Sequence, residues 1–184
     1  MRHVGGKGFD RLDAELQRQD MEPVDLRRLL TTLVSVANET RLGHDVAVET
    51  RFEGSPRDNF SIPGHDSRLG QVISNLLVNA QSFSSPGGKV RVVCRRVRSE
   101  IEIVVDDDGP GIREDALEKI FERFYTDRPH QGFGQNSGLG LSISKQIMEA
   151  HGGRIWAENR AGPLGPDGEP TVAGARFVVR LPAP

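Results

Sequence analysis

The feature that most constrains the fold is a run of apolar residues at helical spacing between residues 66 and 80. These side chains recur on one side of a 3.6-residue helix: Leu69, Val72, Ile73, Leu76, Leu77 and Ala80. Asp66 stands where a helix cap is expected. A helix with such a stripe must bury it against another layer, so the chain is expected to supply further helices or a sheet on that side.

Alternating sequences predict the sheet. Residues 45–53 (DVAVETRFE) form one strand, and KVRVVCRRV and EIEIVVD form an antiparallel hairpin that turns near Ser99. A second hairpin pairs RIWAENR with GARFVVRLP around residues 161–170. Further helices are expected after Pro23 with Asp25 in the first turn, over residues 114–123, and over residues 139–150. The pattern predicts an α/β (α+β) two-layer sandwich whose mixed sheet is covered on one face by about three helices.

Composition excludes several classes of function. A net charge of −2 argues against general attraction to nucleic acid or to an anionic membrane. No apolar run approaches the roughly 20 residues that cross a bilayer, and a signal-peptide pattern is lacking. The single cysteine, Cys94, fits a reducing compartment, and the scattered histidines show no zinc-binding pair. We therefore expect a cytoplasmic chain that contacts neither nucleic acid nor membrane.

Two asparagines lie beside the apolar stripe. Asn75 and Asn79 are one helical turn apart and share a face. Their amide oxygens suit a hard cation such as Mg²⁺, which prefers oxygen ligands and usually binds together with phosphates. The pair alone leaves open that both residues simply face solvent.

The segment VVDDDGPGI, residues 104–112, joins carboxylates to a glycine turn. The strand before it alternates, so Asp106 and Asp107 are predicted to point to opposite faces. A carboxylate accepts hydrogen bonds, and the exocyclic amine of adenine donates one. Gly109 and Gly111 would let the backbone approach a flat ring without an intervening Cβ. An acidic turn is the alternative.

A third segment, QNSGLGLSISKQI, places Gly138 and Gly140 at the head of an amphipathic helix. Free backbone N–H groups and the positive end of the helix dipole make such a place suitable for phosphate. Neither the GxGxxG pattern of dinucleotide-binding folds nor a GxxxxGK[ST] loop occurs at this segment. Phosphate binding here would use a different cradle.

Taken in order, four segments resemble the motifs of one family. NLLVNA, DDDGPGI, IFERFY and SGLGLSI are similar to the N box, first glycine box, F box and second glycine box of the catalytic, ATP-binding domain of sensor histidine kinases. That domain has the Bergerat fold of the GHKL (gyrase- and heat-shock-chaperone-like) ATPase superfamily. The resemblance covers residues 22–181. It implies two parts: residues 1–21, a cut end or the tail of a dimerisation helix, and residues 22–184, the kinase domain.

The resemblance implies a role for each matching residue. Asp107 would accept the adenine amine, Asn79 would bind Mg²⁺, and Asn75 is a second candidate ligand. Asn75 and Asn79 would be the catalytic pair, and residues 126–137 would form a lid anchored by Phe121 and Phe124. The full set expected to contact ATP is Asn75, Asn79, Ser82, Phe83, Asp107, Gly109, Gly111, Ile112, Phe121, Phe124, Tyr125, Arg128, Ser137, Gly138, Leu139, Gly140 and Leu141.

Several positions depart from the family's pattern. Ser82 and Thr126 stand where many members carry a basic residue, with Arg128 as a substitute cation, and Asn136 stands where a glycine is usual. No histidine has the acid-flanked context of a phosphoacceptor. The resemblance therefore implies a fragment that donates the γ-phosphoryl of ATP to a histidine on a separate dimerisation domain, with a response regulator downstream.

Two other functions stay open at this stage. One is a nucleotide-binding regulatory module without phosphotransfer, and the other is a serine kinase of the anti-sigma type. The fragment is expected to be monomeric, because this family dimerises mainly through helices outside it. The parent protein is expected to be anchored in the bacterial inner membrane.

Overall fold

The computed structural model describes residues 21–40, 45–125 and 140–184. The first half contains β1 (Glu22–Asp25), α1 (Leu26–Glu39), β2 (Ala47–Glu53), β3 (Ser61–Gly64), α2 (Asp66–Phe83), β4 (Lys89–Val97) and β5 (Glu100–Asp106). The second half contains α3 (Gly140–Ala150), β6 (Arg154–Leu164) and β7 (Pro170–Pro182). Within these ranges no helix has the length and apolar character needed to cross a membrane.

Five strands form the main sheet in the order β2-β4-β5-β7-β6. β2 runs parallel to β4, whereas every other neighbouring pair is antiparallel. Both predicted hairpins, β4–β5 and β6–β7, are present. A separate two-stranded sheet pairs β1 with β3. The prediction of a mixed sheet is confirmed.

The hydrophobic core lies between one face of the main sheet and the helices. Every residue of the predicted apolar stripe on α2 is buried. Alternate residues of the central strands meet it, among them Val92, Cys94, Ile101, Ile103 and Val105. Burial of this apolar surface is the main source of stability and confirms the two-layer prediction.

Three local predictions need correction. Asp25 is the N-cap of α1, accepting a hydrogen bond from the N–H of Arg28 at 3.3 Å, rather than a first-turn residue. His65, not Asp66, occupies the N-cap position of α2. The Asp66 carboxylate lies in the first turn, where its negative charge interacts favourably with the positive end of the helix dipole. Residues 114–123 form two single turns of 3₁₀-helix, Glu114–Ala116 and Lys119–Phe121, instead of one α-helix. So short a segment is marginal as an α-helix, and the tighter turns direct its apolar residues into the core.

The other face of the sheet carries two rows of charged residues that run across the strands. The strand register aligns Glu49, Arg91, Asp106, Arg176 and Glu158 in the first row. It aligns Glu53, Arg95, Glu102, Arg180 and Arg154 in the second. Val93, Val104, Val178 and Trp156 lie between the rows. Opposite charges directly across neighbouring strands attract, so these outer rows largely neutralise themselves.

Candidate nucleotide-binding site

Asp107 follows directly after β5 and is completely buried. Its Oδ1 accepts hydrogen bonds from the N–H of Gly109 at 2.9 Å and from the N–H of Ala175 at 3.0 Å. Strand alternation puts Asp107 on the helix side and Asp106 on the outer face, as predicted. The backbone donors fix the orientation of this carboxylate, which is what an acceptor for a single ligand amine requires.

Arginines on the outer face hold the two flanking carboxylates. Arg176 donates two hydrogen bonds, of 2.7 and 2.9 Å, to the carboxylate of Asp106. Asp108 accepts from Arg91 at 3.0 Å and from Arg160 at 3.1 Å. Burial would raise the pKa of Asp108, but these bonds, with one from the Lys89 N–H, outweigh it and hold that pKa below its ordinary value. The run of three acids is tolerated because arginines neutralise Asp106 and Asp108, so that the three negative charges do not face one another unpaired.

The glycines of the same loop are required by packing within the protein. A Cβ on Gly109 would lie 2.7 Å from the carbonyl oxygen of Phe83 at the end of α2. Gly111 has φ +81°, and its Cβ would lie 2.4 Å from Val172. Protein atoms therefore occupy the space that was predicted to be kept clear for a flat ring. The expected reason for these two glycines is wrong, while their contact with a nucleotide stays a prediction.

Asn75 brings α2 against the start of α3. Its amide nitrogen lies 3.2 Å from the carbonyl oxygen of Gly140 and 3.3 Å from Oγ of Ser144. Asn79, one turn later, has a buried amide nitrogen without a hydrogen-bond partner in the described ranges. A buried polar atom with no partner is costly and is a position where a ligand or water is expected. The sequence-predicted asparagines thus line one edge of α2.

Gly140 differs from the loop glycines. Among the described residues, the atoms nearest to an added Cβ belong to the Asn75 side chain, at 3.7 Å or more, which is an ordinary contact. Packing with these residues does not demand a glycine at the start of α3. A close approach by a ligand to the backbone is a separate reason for one, and phosphate at a helix N-terminus fits it.

The F-box residues divide into buried and exposed ones. Phe121 is buried and packs edge-on against Phe177, with ring centroids 6.2 Å apart. Tyr125 packs partly buried against the core. Phe124 is 63% exposed with φ +64°, and the Arg123 guanidinium lies over its ring. The left-handed backbone turns the Phe124 ring outward, whereas Phe121 packs into the core. Residues 126–137 lie outside the described residues, so the anchoring of that segment by Phe121 and Phe124 stays a prediction.

The remaining predicted contacts are spread around this edge. Ser82 donates its hydroxyl to the carbonyl oxygen of Val78, one turn back on α2. Phe83 and Ile112 are buried, and Leu141 packs partly buried against the core. Arg128, Ser137, Gly138 and Leu139 lie outside the described residues, as do Thr126 and Asn136.

Two functional candidates were missed by the sequence analysis. Asn159 and Arg160, consecutive on β6, both contact the loop from Asp107 to Ile112. Only strand pairing brings them there, from 47 and 53 residues away. The available signal was a polar pair at the end of an alternating strand, which single-sequence reasoning cannot assign to a partner.

The chemistry of these groups fits a nucleotide, and the amide oxygens of Asn75 and Asn79 are of the type that Mg²⁺ prefers. The site also offers a fixed carboxylate acceptor, a buried amide nitrogen on Asn79 without a partner in the described ranges, and a glycine at the start of α3. With a mixed sheet covered by helices on one face, these features define a GHKL-type ATP-binding domain. A family model described as histidine kinase-, DNA gyrase B-, and HSP90-like ATPase matches residues 64–184. The chain belongs to this family, which is one of ATP-binding proteins.

Known proteins agree with this assignment. The chain is 49% identical to the sensor protein ChvG of Rhizobium meliloti (strain 1021), over 94% of this chain and 30% of that protein. It is 35% identical to the sensor protein SrrB of Staphylococcus aureus (strain NCTC 8325 / PS 47), over 64% of this chain and 18% of that protein. The chain therefore spans less than a third of the length of these relatives.

Solved structures show the same fold. The mycobacterial sensor histidine kinase MprB superposes with a TM-score of 0.72 at 29% identity, over 88% of this chain and 97% of that one. A nucleotide-free catalytic domain of histidine kinase ThkA superposes with a TM-score of 0.72 at 25% identity, covering 89% of this chain and 96% of that one. The Bergerat-type architecture predicted from the sequence is confirmed.

Proposed function

We propose that the chain binds Mg²⁺-ATP along one edge of α2 and donates the γ-phosphoryl group to a histidine on a separate dimerisation domain. The observation that carries the proposal is the position of α2 between two parts of the site. Its C-terminal end contacts the Asp107 loop, where the N–H of Asp108 donates to Oγ of Ser84 at 3.1 Å. Two turns earlier, Asn75 contacts the start of α3. Asn79 lies between these contacts.

Different residues would contact different parts of the nucleotide. Asp107 would accept the adenine amine while its other bonds hold it in place. The N-terminal end of α3, with Gly140, would face the phosphates, and Asn79 would offer its amide oxygen to Mg²⁺, with Asn75 as a second candidate. When bound, Mg²⁺ neutralises phosphate charge, which in phosphoryl transfer supplies much of the catalysis together with positioning.

The chemistry of the asparagines favours a histidine acceptor over water. An amide cannot take up a proton at neutral pH, so neither Asn75 nor Asn79 can activate water as a general base. A neutral imidazole nitrogen needs no such activation to attack. In that transfer the bond from the γ-phosphorus to its bridging oxygen breaks, a phosphorus–nitrogen bond forms, and ADP leaves with the electron pair. The proton on the other ring nitrogen of the imidazole is released to solvent.

The partners follow from this proposal. The acceptor histidine would belong to the dimerisation domain of a longer sensor protein, anchored in the bacterial inner membrane, and a response regulator would receive the phosphoryl group. The chain itself would work in the cytoplasm as a monomer without contacting nucleic acid or membrane. Support comes from its similarity to sensor proteins of about three times its length.

Ser82 favours a second candidate function, a nucleotide-binding module without phosphotransfer. Its hydroxyl is bonded to its own helix backbone at 2.7 Å, at a position from which a basic side chain would be expected to reach the phosphates. Such a module would still bind ATP, so binding alone does not distinguish the two functions.

The test has two stages. Calorimetric titration with ATP, in magnesium and then in EDTA, should give magnesium-dependent binding; no binding at millimolar ATP would refute both functions. The chain is then incubated with γ-labelled ATP and a separately produced portion of ChvG from outside the matching region. Acid-labile, base-stable label on that partner identifies phosphohistidine and supports the kinase. Binding without label supports the regulatory module.

A further inference from the structure

We infer that Asn159 and Arg160 are positioning residues that hold the Asp107 loop in its nucleotide-binding conformation. They are consecutive on β6, so strand alternation directs their side chains to opposite faces of the sheet. The loop would thus be held from both sides by one short piece of backbone. This inference rests on the proposed role of Asp107 in binding ATP.

Arg160 holds the loop from the outer face. Its Nη1 donates to the carbonyl oxygen of Asp107 at 2.7 Å and to Oδ1 of Asp108 at 3.1 Å. Its Nε lies 3.6 Å from Oδ2 of Asp106, and only 21% of its side chain is exposed. One guanidinium therefore contacts all three residues of the acidic run. Because the guanidinium is planar and rigid, it fixes the positions of these three residues relative to one another.

Asn159 holds the far end of the loop. Its Oδ1 accepts the N–H of Ile112 at 2.8 Å, and its Nδ2 donates to the carbonyl oxygen of the same residue. These two bonds resemble the N–H and C=O hydrogen bonds between paired β-strands, although Ile112 lies beyond the end of β5. Gly111 is adjacent, where a Cβ would lie 2.8 Å from the Asn159 oxygen.

The register of β6 and β7 changes at this pair. The alignment of Arg160 with Gly174 is followed by a shift, so that Ala161 pairs with Val172. A Cβ on Gly174 would lie 1.9 Å from the carbonyl oxygen of Asp107, which leaves no room for any other residue. Bulges of this kind redirect side chains, and here the bulge lies beside the loop.

These contacts bear on the geometry of Asp107 rather than on general stability. Every polar contact described above falls on a carboxylate or backbone group within the segment from Asp106 to Ile112. Arg95 provides a comparison, because it also pairs with a carboxylate of β5, Glu102 at 2.7 Å, but at the opposite end of the strand. Loss of either arginine removes an ion pair to β5, but of these two arginines only Arg160 contacts the loop.

The first experiment measures the dissociation constant of Mg²⁺-ATP by calorimetry for the wild type, Arg160→Gln, Asn159→Ser and the control Arg95→Gln. Each loop variant should raise the constant about tenfold, as expected for losing a charge-assisted hydrogen bond or a pair of neutral ones. Arg160→Lys, which keeps the charge and can reach one acceptor, should fall between. Arg95→Gln should lower the unfolding temperature without changing affinity. If Arg160→Gln does not fold, Asn159→Ser carries the same test.

A double-mutant cycle tests whether Arg160 acts through Asp107. In an Asp107→Asn background, Arg160→Gln should change affinity by less than about twofold, because the contact that it positions is already lost. Full multiplication of the two effects would overturn the inference. The inference would also be overturned if the dissociation constant of Arg160→Gln or Asn159→Ser stayed within about twofold of that of the wild type, or if Arg95→Gln lost as much affinity. In those cases the proposed ATP binding would stand. No binding by the wild type would overturn both.

Discussion

Asp107 and Ala175 exchange two hydrogen bonds across neighbouring strands. The N–H of Asp107 donates to the carbonyl oxygen of Ala175 at 3.0 Å, and the N–H of Ala175 donates to Oδ1 of Asp107 at 3.0 Å. The second bond uses a side chain in place of a backbone carbonyl. It allows the chain to leave β5 at this residue while the carboxylate stays fixed to β7.

Asp107→Asn should weaken ATP binding by about 10- to 150-fold, the equivalent of one lost charge-assisted hydrogen bond. An asparagine oxygen can still accept from Ala175 and Gly109, so the loop should keep its shape. The amide nitrogen would then face the adenine amine, placing one donor against another. Calorimetric titration with Mg²⁺-ATP measures the change.

Asp106→Asn is the matched control, since Asp106 is bonded to Arg176 on the outer face. It should lower stability and should weaken nucleotide affinity much less than Asp107→Asn does, because Arg160 keeps its shorter contacts to Asp107 and Asp108. An Asp107→Asn affinity within about twofold of the wild type would exclude the adenine role.

Asn79→Ala should weaken binding of Mg²⁺-ATP about tenfold and binding of metal-free ATP much less, because the proposed contact is with the metal. A lost polar contact of about 1.4 kcal/mol corresponds to a tenfold change. The variant also removes the buried amide nitrogen that has no partner in the described ranges, so its stability should fall little. Titrations in magnesium and in EDTA give the two affinities.

Gln81→Ala serves as the control on the same helix. Its amide donates to the carbonyl oxygens of Ala37 and Val46 at 3.3 and 3.2 Å, tying α2 to its neighbours. It should lower stability and leave the magnesium dependence unchanged. Equal losses with and without magnesium in Asn79→Ala would remove the metal assignment.

The parts of the fold predictable from the sequence are those with a local signal. The stripe on α2 and the alternation of β4 and β5 predicted two layers, and alternation alone placed Asp106 and Asp107 on opposite faces. The adjacency of Asn75 and the start of α3, over 65 residues, was predictable only because the motifs resembled those of a known family.

The parts that escaped prediction depend on contacts between distant segments. Arg176 and Arg160 reach the acidic run only through the register of β7 and β6. The same holds for Gly109 and Gly111, whose neighbours are the end of α2 and a residue of β7. The outward position of the Phe124 ring also escaped prediction, because its backbone conformation, unusual for a residue with a side chain, is set by the fold and leaves no mark in the sequence.

Glu102→Gln should lower the free energy of unfolding by about 1–3 kcal/mol. Its side chain is only 4% exposed, and it accepts from Arg95 and Arg180, each at 2.7 Å. Burial would raise the pKa of Glu102, but the two arginines outweigh it and lower that pKa. Chemical denaturation measures the loss. Glu49→Gln, whose exposed carboxylate pairs with Lys89, should lower the free energy of unfolding much less than Glu102→Gln does, and equal effects would refute the difference.

Cys94 should not react with thiol reagents in the folded protein. It is completely buried, and burial raises its pKa to about 12, with Arg27 opposing the shift only weakly. Reaction with a chromogenic disulfide at pH 8 should therefore proceed at the rate of unfolding, and immediately in concentrated guanidinium. Rapid labelling in native buffer would show that the core at β4 opens locally.

Stability should fall as the pH drops below about 6.5, the ordinary pKa of histidine, because His151 is held neutral in the fold. Burial lowers the pKa of His151, and a hydrogen bond to the Ile147 carbonyl oxygen opposes this only in part. Its Nδ1 lies 2.7 Å from that oxygen, and its Nε2 accepts the N–H of His65 at 3.1 Å. Protonation of Nε2 would turn it into a donor that faces the N–H of His65, so this hydrogen bond would be lost. The stabilisation is thus complete above the unfolded pKa and is lost as the pH falls through the folded one.

The measurement compares denaturation curves of the wild type and His151→Gln from pH 8 to 5. Glutamine supplies an acceptor that does not titrate, so the variant should lack the decline that begins near pH 6.5. The lowered pKa values of Glu102 and Asp108 contribute stability that is lost only below the ordinary carboxyl range, and both proteins share that later decline. Parallel curves over the whole range would show that His151 does not couple folding to pH.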